Sequence, residues 1–124
     1  DNAIVLSYGH GSGEVFPSHF VSPLDGIRAA AGADAEVVFN TGKDPKDAAA
    51  AARKADYAVV FCGASASEGS DRKSLGDEGQ DALIIEVWRA NPKTIVVLSV
   101  PGAFLMPWSG YVPAILTNFL PGQQ

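Results

Sequence analysis

YAVVFC, residues 57–62, is the stretch on which the fold turns. Its apolar residues follow one another instead of alternating with polar ones, the pattern of a strand buried on both faces of a parallel sheet. Runs of the same kind occur at AIVL (3–6), AEVVF (35–39), TIVVLS (94–99) and VPAIL (112–116). Helix-like stretches separate them. PLDGIRAAAG (23–32) stops at Gly32, and the Ala-rich PKDAAAAARKAD (45–56) opens on Pro45. QDALIIEVWRAN (80–91) sets Leu83, Ile84, Val87 and Trp88 on one helical face before Pro92 ends it. Strands alternating with helices build an open α/β sheet. The expectation is a mainly parallel sheet with 35–39, 57–62 and 94–99 at its centre.

Composition bounds what such a sheet can serve. At 124 residues the chain is one domain, 1–124, long enough to bury a core. With 47% of residues apolar and 19% charged, the balance is that of a globular protein and not of a disordered segment. The formal charge is −5 and no Lys/Arg stripe is present, which argues against nucleic acid as a partner. No apolar run approaches the roughly 20 residues of a membrane span. No signal peptide is visible either, and a secreted parent stays open, since a fragment or a mature chain would have lost that segment. Cys62 is the sole cysteine, so a disulfide framework and a thiolate metal cluster are both excluded; ending an apolar strand, it reads as a buried structural thiol.

Ligands of open α/β sheets sit outside the carboxyl ends of the strands. The stretches expected there, 7–22, 63–79 and 100–111, are long for α/β connections. Common site chemistries fail on them. GHGSGE lacks the last glycine of a dinucleotide fingerprint, TGKDP lacks the upstream glycine and the Ser/Thr of a P-loop, and neither GHGSG nor GASAS fits a G-x-S-x-G elbow. His10 and His19 stand nine apart on one irregular loop and match no helical metal pair, so neither a metal nor a cofactor is expected. Carboxylate chemistry centred on Glu68 remains. A lone loop Glu is ordinarily just solvated. Here Ala66, Ser67 and Gly69 leave it sterically free, and Asp71 and Arg72 are placed to pair and hold the loop, an arrangement suited to moving a proton.

The residues that carry chemistry also carry a resemblance. S-E-G-x-D-R-x-x-L (67–75) after a V-V-F strand is followed by Q-D-A-L-I (80–84), N-P-x-T-I-V-V-L (91–98), M-P-W (106–108), A-I-L (114–116) and P-G-Q (121–123). In that order they resemble the C-terminal α/β sandwich domain of family 3 glycoside hydrolases. G-H-G-S-G-E-V-F-P-S-H-F-V-S-P-L-D-G-I (9–27) is similar to that family's glycine-serine-glycine loop with its downstream Pro-Leu. The resemblance implies α/β architecture with a mainly parallel open sheet flanked by helices, a three-layer sandwich of flavodoxin-like type, here incomplete. It implies a retaining β-glucosidase acting on β-linked glucosides or short glucans, without a cofactor and secreted or extracellular. In the family the nucleophile is an Asp on a separate N-terminal (β/α)8 barrel, and the acid/base is a Glu on a sandwich loop. Glu68 matches that Glu, with its pKa expected to be raised by the nucleophile and by partial burial. Asp71 and Arg72 match the loop-bracing pair, while Ser12, Gly13 and Trp108 are the further candidates for substrate contact or bracing.

Departures accompany the matches. Residues 76–79 read GDEG where many relatives carry an apolar or proline-bearing stretch, and Phe119 stands where tryptophan is common; both bear on aglycone preference. The barrel is absent, and the family's domain extends on both sides of this stretch, so the chain reads as an internal or processed piece, inactive alone. The competing class is a non-catalytic carbohydrate-binding or structural module, in which Trp108, Tyr111 and Phe16 would stack on sugar faces. A flavodoxin-like nucleotide or phosphate binder rests on fold analogy alone.

Overall fold

The computed structural model describes residues 11–12 and 18–119. Helices α1 (Pro23–Ala31) and α2 (Pro45–Ala52), strand β1 (Ala58–Gly63), helix α3 (Glu78–Ala90) and strands β2 (Thr94–Ser99) and β3 (Ala114–Thr117) follow in that order. The three strands form one open, all-parallel sheet in the order β1-β2-β3, the α/β arrangement expected from the alternating runs. β1, α3 and β2 make a β-α-β unit in register from Ala58 opposite Thr94 to Gly63 opposite Ser99. β3 then adds beside β2, with Ala114 opposite Ile95.

Local chemistry sets the helix starts. Ser22 Oγ accepts the Asp25 N–H at 3.1 Å ahead of α1, and Asp44 Oδ1 accepts the Lys46 N–H at 2.8 Å ahead of α2. Pro23 and Pro45 then occupy first-turn positions, where a missing N–H costs no helical bond. In α3 the predicted face is the buried one. Ile84 and Val87 join Val60, Val96 and Leu98 in the core, with Leu83 and Trp88 packed against it. Ile84 and Val96 have no exposed surface, and removing each from water contributes about 1.5–3 kcal/mol. Helix α2 enters this core through Ala48 and Ala52, side chains short enough for its backbone to lie close to α3.

Three sequence expectations differ from the structure. Residues 35–39 form no strand, and Val38 stays 67% exposed. Val59, Ile95 and Ala114 line up across one face of the sheet, as do Phe61, Val97 and Leu116, and on that face Val59, Phe61 and Leu116 remain exposed. The helices packed in the core, α2 and α3, lie on the opposite face, while α1 buries none of its residues. Continuous apolar runs therefore do not mean two covered faces among the described residues. The run at 112–116 yields a strand only from Ala114, because Pro113 has no N–H for the ladder. Helix α3 starts two residues ahead of Gln80, at Glu78. The 3–6 run lies outside the described residues.

Asn91 joins the layers. Its buried Nδ2 donates to the carbonyls of Ala52 (3.0 Å) and Ala55 (2.9 Å) at the end of α2, and its Oδ1 accepts the Lys93 N–H at 3.0 Å just before β2. Thr94 Oγ1 donates back to the Asn91 carbonyl at 2.6 Å. Replacing Asn91 with Ala strands the Ala55 carbonyl and the Lys93 N–H and leaves the Ala52 carbonyl with the Ala55 N–H alone, and is expected to cost about 2–3 kcal/mol. Asn91→Asp should do no better, because a carboxylate donates nothing to the two carbonyls it would face. Thermal or urea unfolding of both variants measures the loss, and an unchanged midpoint would show the asparagine to be dispensable.

Candidate active site

The loop from Ala64 to Asp77 leaves the carboxyl end of β1 from a pinned point. Gln80 Oε1 accepts the Gly63 N–H at 2.8 Å and its Nε2 donates to the Gly63 carbonyl at 2.9 Å, so the side-chain amide continues the strand's pairing. The same Nε2 donates to Asp77 Oδ2 at 2.7 Å, while Asp77 Oδ1 accepts the Gln80 N–H at 3.0 Å and caps α3. These bonds hold the Asp77 carboxyl below the usual carboxylate range, Gln80 N–H first and its side-chain amide second. GDEG is thus the start of a helix: D-E-G-Q follows the spacing of a capping box, a signal that could have placed both Asp77 and Gln80.

Glu68 stands at the tip of this loop. The Ser70 N–H donates to the Ser67 carbonyl at 3.1 Å, and Gly69 has φ 73°. A four-residue turn with positive φ at its third position is type II, which puts Glu68 at the outer corner and makes glycine the natural residue after it. Its side chain is exposed. Ser12 meets it from a segment 56 residues away, donating both its backbone N–H (2.7 Å) and its hydroxyl to Glu68 Oε2. Gly11, at φ 104°, comes so close that a Cβ there would lie 2.5 Å from Glu68 Cβ and 2.8 Å from Oε2.

The remaining candidates are placed differently. Among the described residues Asp71 and Arg72 do not form an ion pair; Arg72 Nη2 instead donates across the site edge to the Ala103 carbonyl at 2.8 Å. A guanidinium is long enough to reach the second loop, and there it braces backbone to side chain. Its Nη1 is buried and has no hydrogen-bond partner among the described residues. Leu105 N–H to the Leu75 carbonyl, at 2.9 Å, stitches the same two loops. Trp108 is fully buried and donates Nε1–H to Asp81 Oδ1 at 2.8 Å, tying the 100–113 connection to the start of α3. Tyr111 is exposed, with its ring 5.1 Å from that of Trp88. Gly13 and Phe16 lie outside the described residues. A solvent-open depression lined by Ser65, Ser67, Ser70, Asp71, Arg72 and Lys73 adjoins the Glu68 turn.

Glu68 is held below its ordinary carboxylate pKa, by the Ser12 hydroxyl first and the Ser12 N–H second, with slight desolvation opposing. The direction is opposite to the expected one, because donors to a carboxylate favour its charged form and the exposed side chain has little of the burial that would raise it. Cys62 is buried, its thiol pushed up to about 12 by burial and then by the Asp77 and Asp81 carboxylates. It is no nucleophile at neutral pH.

The geometry has relatives. The model of the glycosyl hydrolase family 3 C-terminal domain matches residues 1–124. The probable beta-glucosidase L of Aspergillus terreus is 32% identical over 99% of this chain and 18% of its own length. A beta-glucosidase of Rhizobium radiobacter is 36% identical over 82% of this chain and 13% of its own. Among solved structures, DesR, a beta-glucosidase from Streptomyces venezuelae in complex with D-glucose, superposes with a TM-score of 0.61 at 45% identity, over 64% of this chain and 10% of that one. The chain thus spans less than a fifth of the length of these relatives.

The loop anchors make two predictions. Gly69→Ala forces a Cβ into left-handed geometry at no steric contact, so it should cost about 1–2 kcal/mol through conformation alone and displace Glu68; unfolding midpoints check the first, and a structure of the variant the second. Asp77→Ala should cost about 1 kcal/mol. Because the folded pKa of Asp77 lies below its ordinary 3.8, the stabilisation is complete above that pH and is lost as the pH falls through the lower folded value. The gap in thermal scans between the unaltered protein and the Asp77→Ala variant should therefore hold at neutral pH and close in acid.

Proposed function

The chain belongs to the glycosyl hydrolase family 3 C-terminal domain family, and on that premise we propose that it is part of a retaining β-glucosidase removing terminal β-D-glucosyl residues, with Glu68 as general acid/base. The observation that carries this reading is the presentation of Glu68: an exposed carboxyl at the corner of a glycine turn, on the carboxyl edge of a parallel sheet, with one of its oxygens already held. A carboxyl so placed can reach a reaction centre outside its own domain. A retaining mechanism needs a second carboxyl roughly 5 to 5.5 Å away. That nucleophile is proposed to come from an N-terminal barrel of the same protein, and a β-glucoside or short glucan is its substrate. An extracellular location, where polymeric glucans are met, is part of the same proposal.

The steps balance in the usual way for such a pair. Protonated Glu68 gives its proton to the glycosidic oxygen as the nucleophile bonds to the anomeric carbon and the aglycone leaves as an alcohol. Ionised Glu68 then takes a proton from the water that attacks the glycosyl ester, restoring both carboxyls. No cofactor enters. Of the rings the binding-module alternative would use, Trp108 is buried and Tyr111 is exposed.

In the complete protein, Glu68→Gln keeps size and hydrogen bonding but removes the titrating proton. Hydrolysis of glucosides with poor leaving groups should fall by about 10² to 10⁴. The loss should be smaller for an activated aryl glucoside, which departs with little protonation, and azide should restore turnover by replacing the base-assisted water. Asp71→Asn should show no azide rescue. Equal losses on good and poor leaving groups, without rescue, would remove Glu68 from the acid/base role.

A further inference from the structure

We infer that Gly11 and Ser12 form a clamp that positions Glu68: Ser12 engages Oε2 with two donors while Gly11 supplies the room for the contact, leaving Oε1 as the oxygen that carries and delivers the proton. The inference rests on the acid/base reading of Glu68 and assigns a positioning role to residues that touch it. Three independent features converge on one carboxylate. The Ser12 N–H approaches Oε2 at 2.7 Å and the Ser12 hydroxyl donates to the same atom. Any side chain at residue 11 would overlap both the Cβ and Oε2 of Glu68, so the close approach requires glycine there. Finally, the turn that carries Glu68 has its own glycine at 69, which sets the corner from the other side.

Two donors on one oxygen do more than hold a rotamer. They make Oε2 a poor place for a proton, since a protonated oxygen would face two N–H or O–H groups and lose its role as acceptor. Proton traffic is thereby directed to Oε1. They also favour the charged carboxylate over the acid, the direction found for Glu68. Other charges near the tip do not account for this. On its own loop, Asp71, Arg72 and Lys73 follow Glu68, and Arg72 is turned to the Ala103 carbonyl. The facing connection, 100–113, contains no charged residue, and Asp77, Glu78 and Asp81 belong to the start of α3, where the first caps the helix and the last accepts from Trp108. His10 precedes Gly11 in sequence and is retained in every variant below.

The test uses the complete protein with Ser12→Ala, Ser12→Thr and the Glu68→Gln control. Ser12 is exposed, so its truncation leaves the fold intact. The alkaline limb of kcat/KM reports the loss of the proton from the acid in the free enzyme. Ser12→Ala removes a donor that favours the charged form, so the acid stays protonated to higher pH and the limb should move up; Ser12→Thr keeps both donors and should bring it back. A merely structural role for Ser12 would lower activity at all pH values without moving the limb. If the limb stays in place in Ser12→Ala while Glu68→Gln is still rescued by azide, the clamp is wrong and the acid/base assignment stands. Absence of azide rescue in Glu68→Gln would instead overturn the reading beneath it.

Discussion

The amide of Gln80 is the contact on which the site edge depends. Oε1 and Nε2 take both polar groups of Gly63, and the second hydrogen on Nε2 goes to Asp77. One side chain on the first turn of α3 therefore ends β1, begins the helix and brings together the two ends of the intervening loop. The loop cannot slide along the sheet edge without breaking a pair of bonds that are partly buried. Its free middle is then held at two crossings to the 100–113 connection, Arg72 to Ala103 and Leu75 to Leu105. The glycine turn between those anchors is what remains to carry a reactive side chain.

Sequence reveals the parts of this fold whose cause is local. TIVVLS matches β2 residue for residue, a strand with a neighbour on each side whose apolar run packs on α3. The face of α3 is readable because 3.6-residue periodicity acts within one helix. AEVVF looks equally like a strand, yet it forms none and leaves Val38 67% exposed. Hydrophobicity records what a segment would bury, not whether something is there to bury it against.

The site divides along the same line. S-E-G gives away a turn with a carboxylate at its corner, because the glycine requirement is local. Arg72 departs from expectation in partner though not in neighbourhood: the guanidinium finds a carbonyl instead of its neighbouring Asp71, while the Trp108 ring is buried against α3. The contact between Ser12 and Glu68 joins residues 56 apart and has no sequence periodicity. A glycine at 11 marks a close approach, but its target is visible only in three dimensions.

That contact also fits the two halves of the proposed cycle. Before the first half, a facing carboxylate nucleophile is charged, and its repulsion favours the protonated form of Glu68. Once the glycosyl ester has formed, that charge is gone. The pull that remains is the one built into this chain, two donors on Oε2, and it favours the ionised form needed to accept a proton from water. The same residue can thus be an acid while the other domain is charged and a base while it is not. On this view the division of the site between two domains has a physical use: the partner carboxyl supplies the influence that changes during turnover, and Ser12 supplies the one that does not.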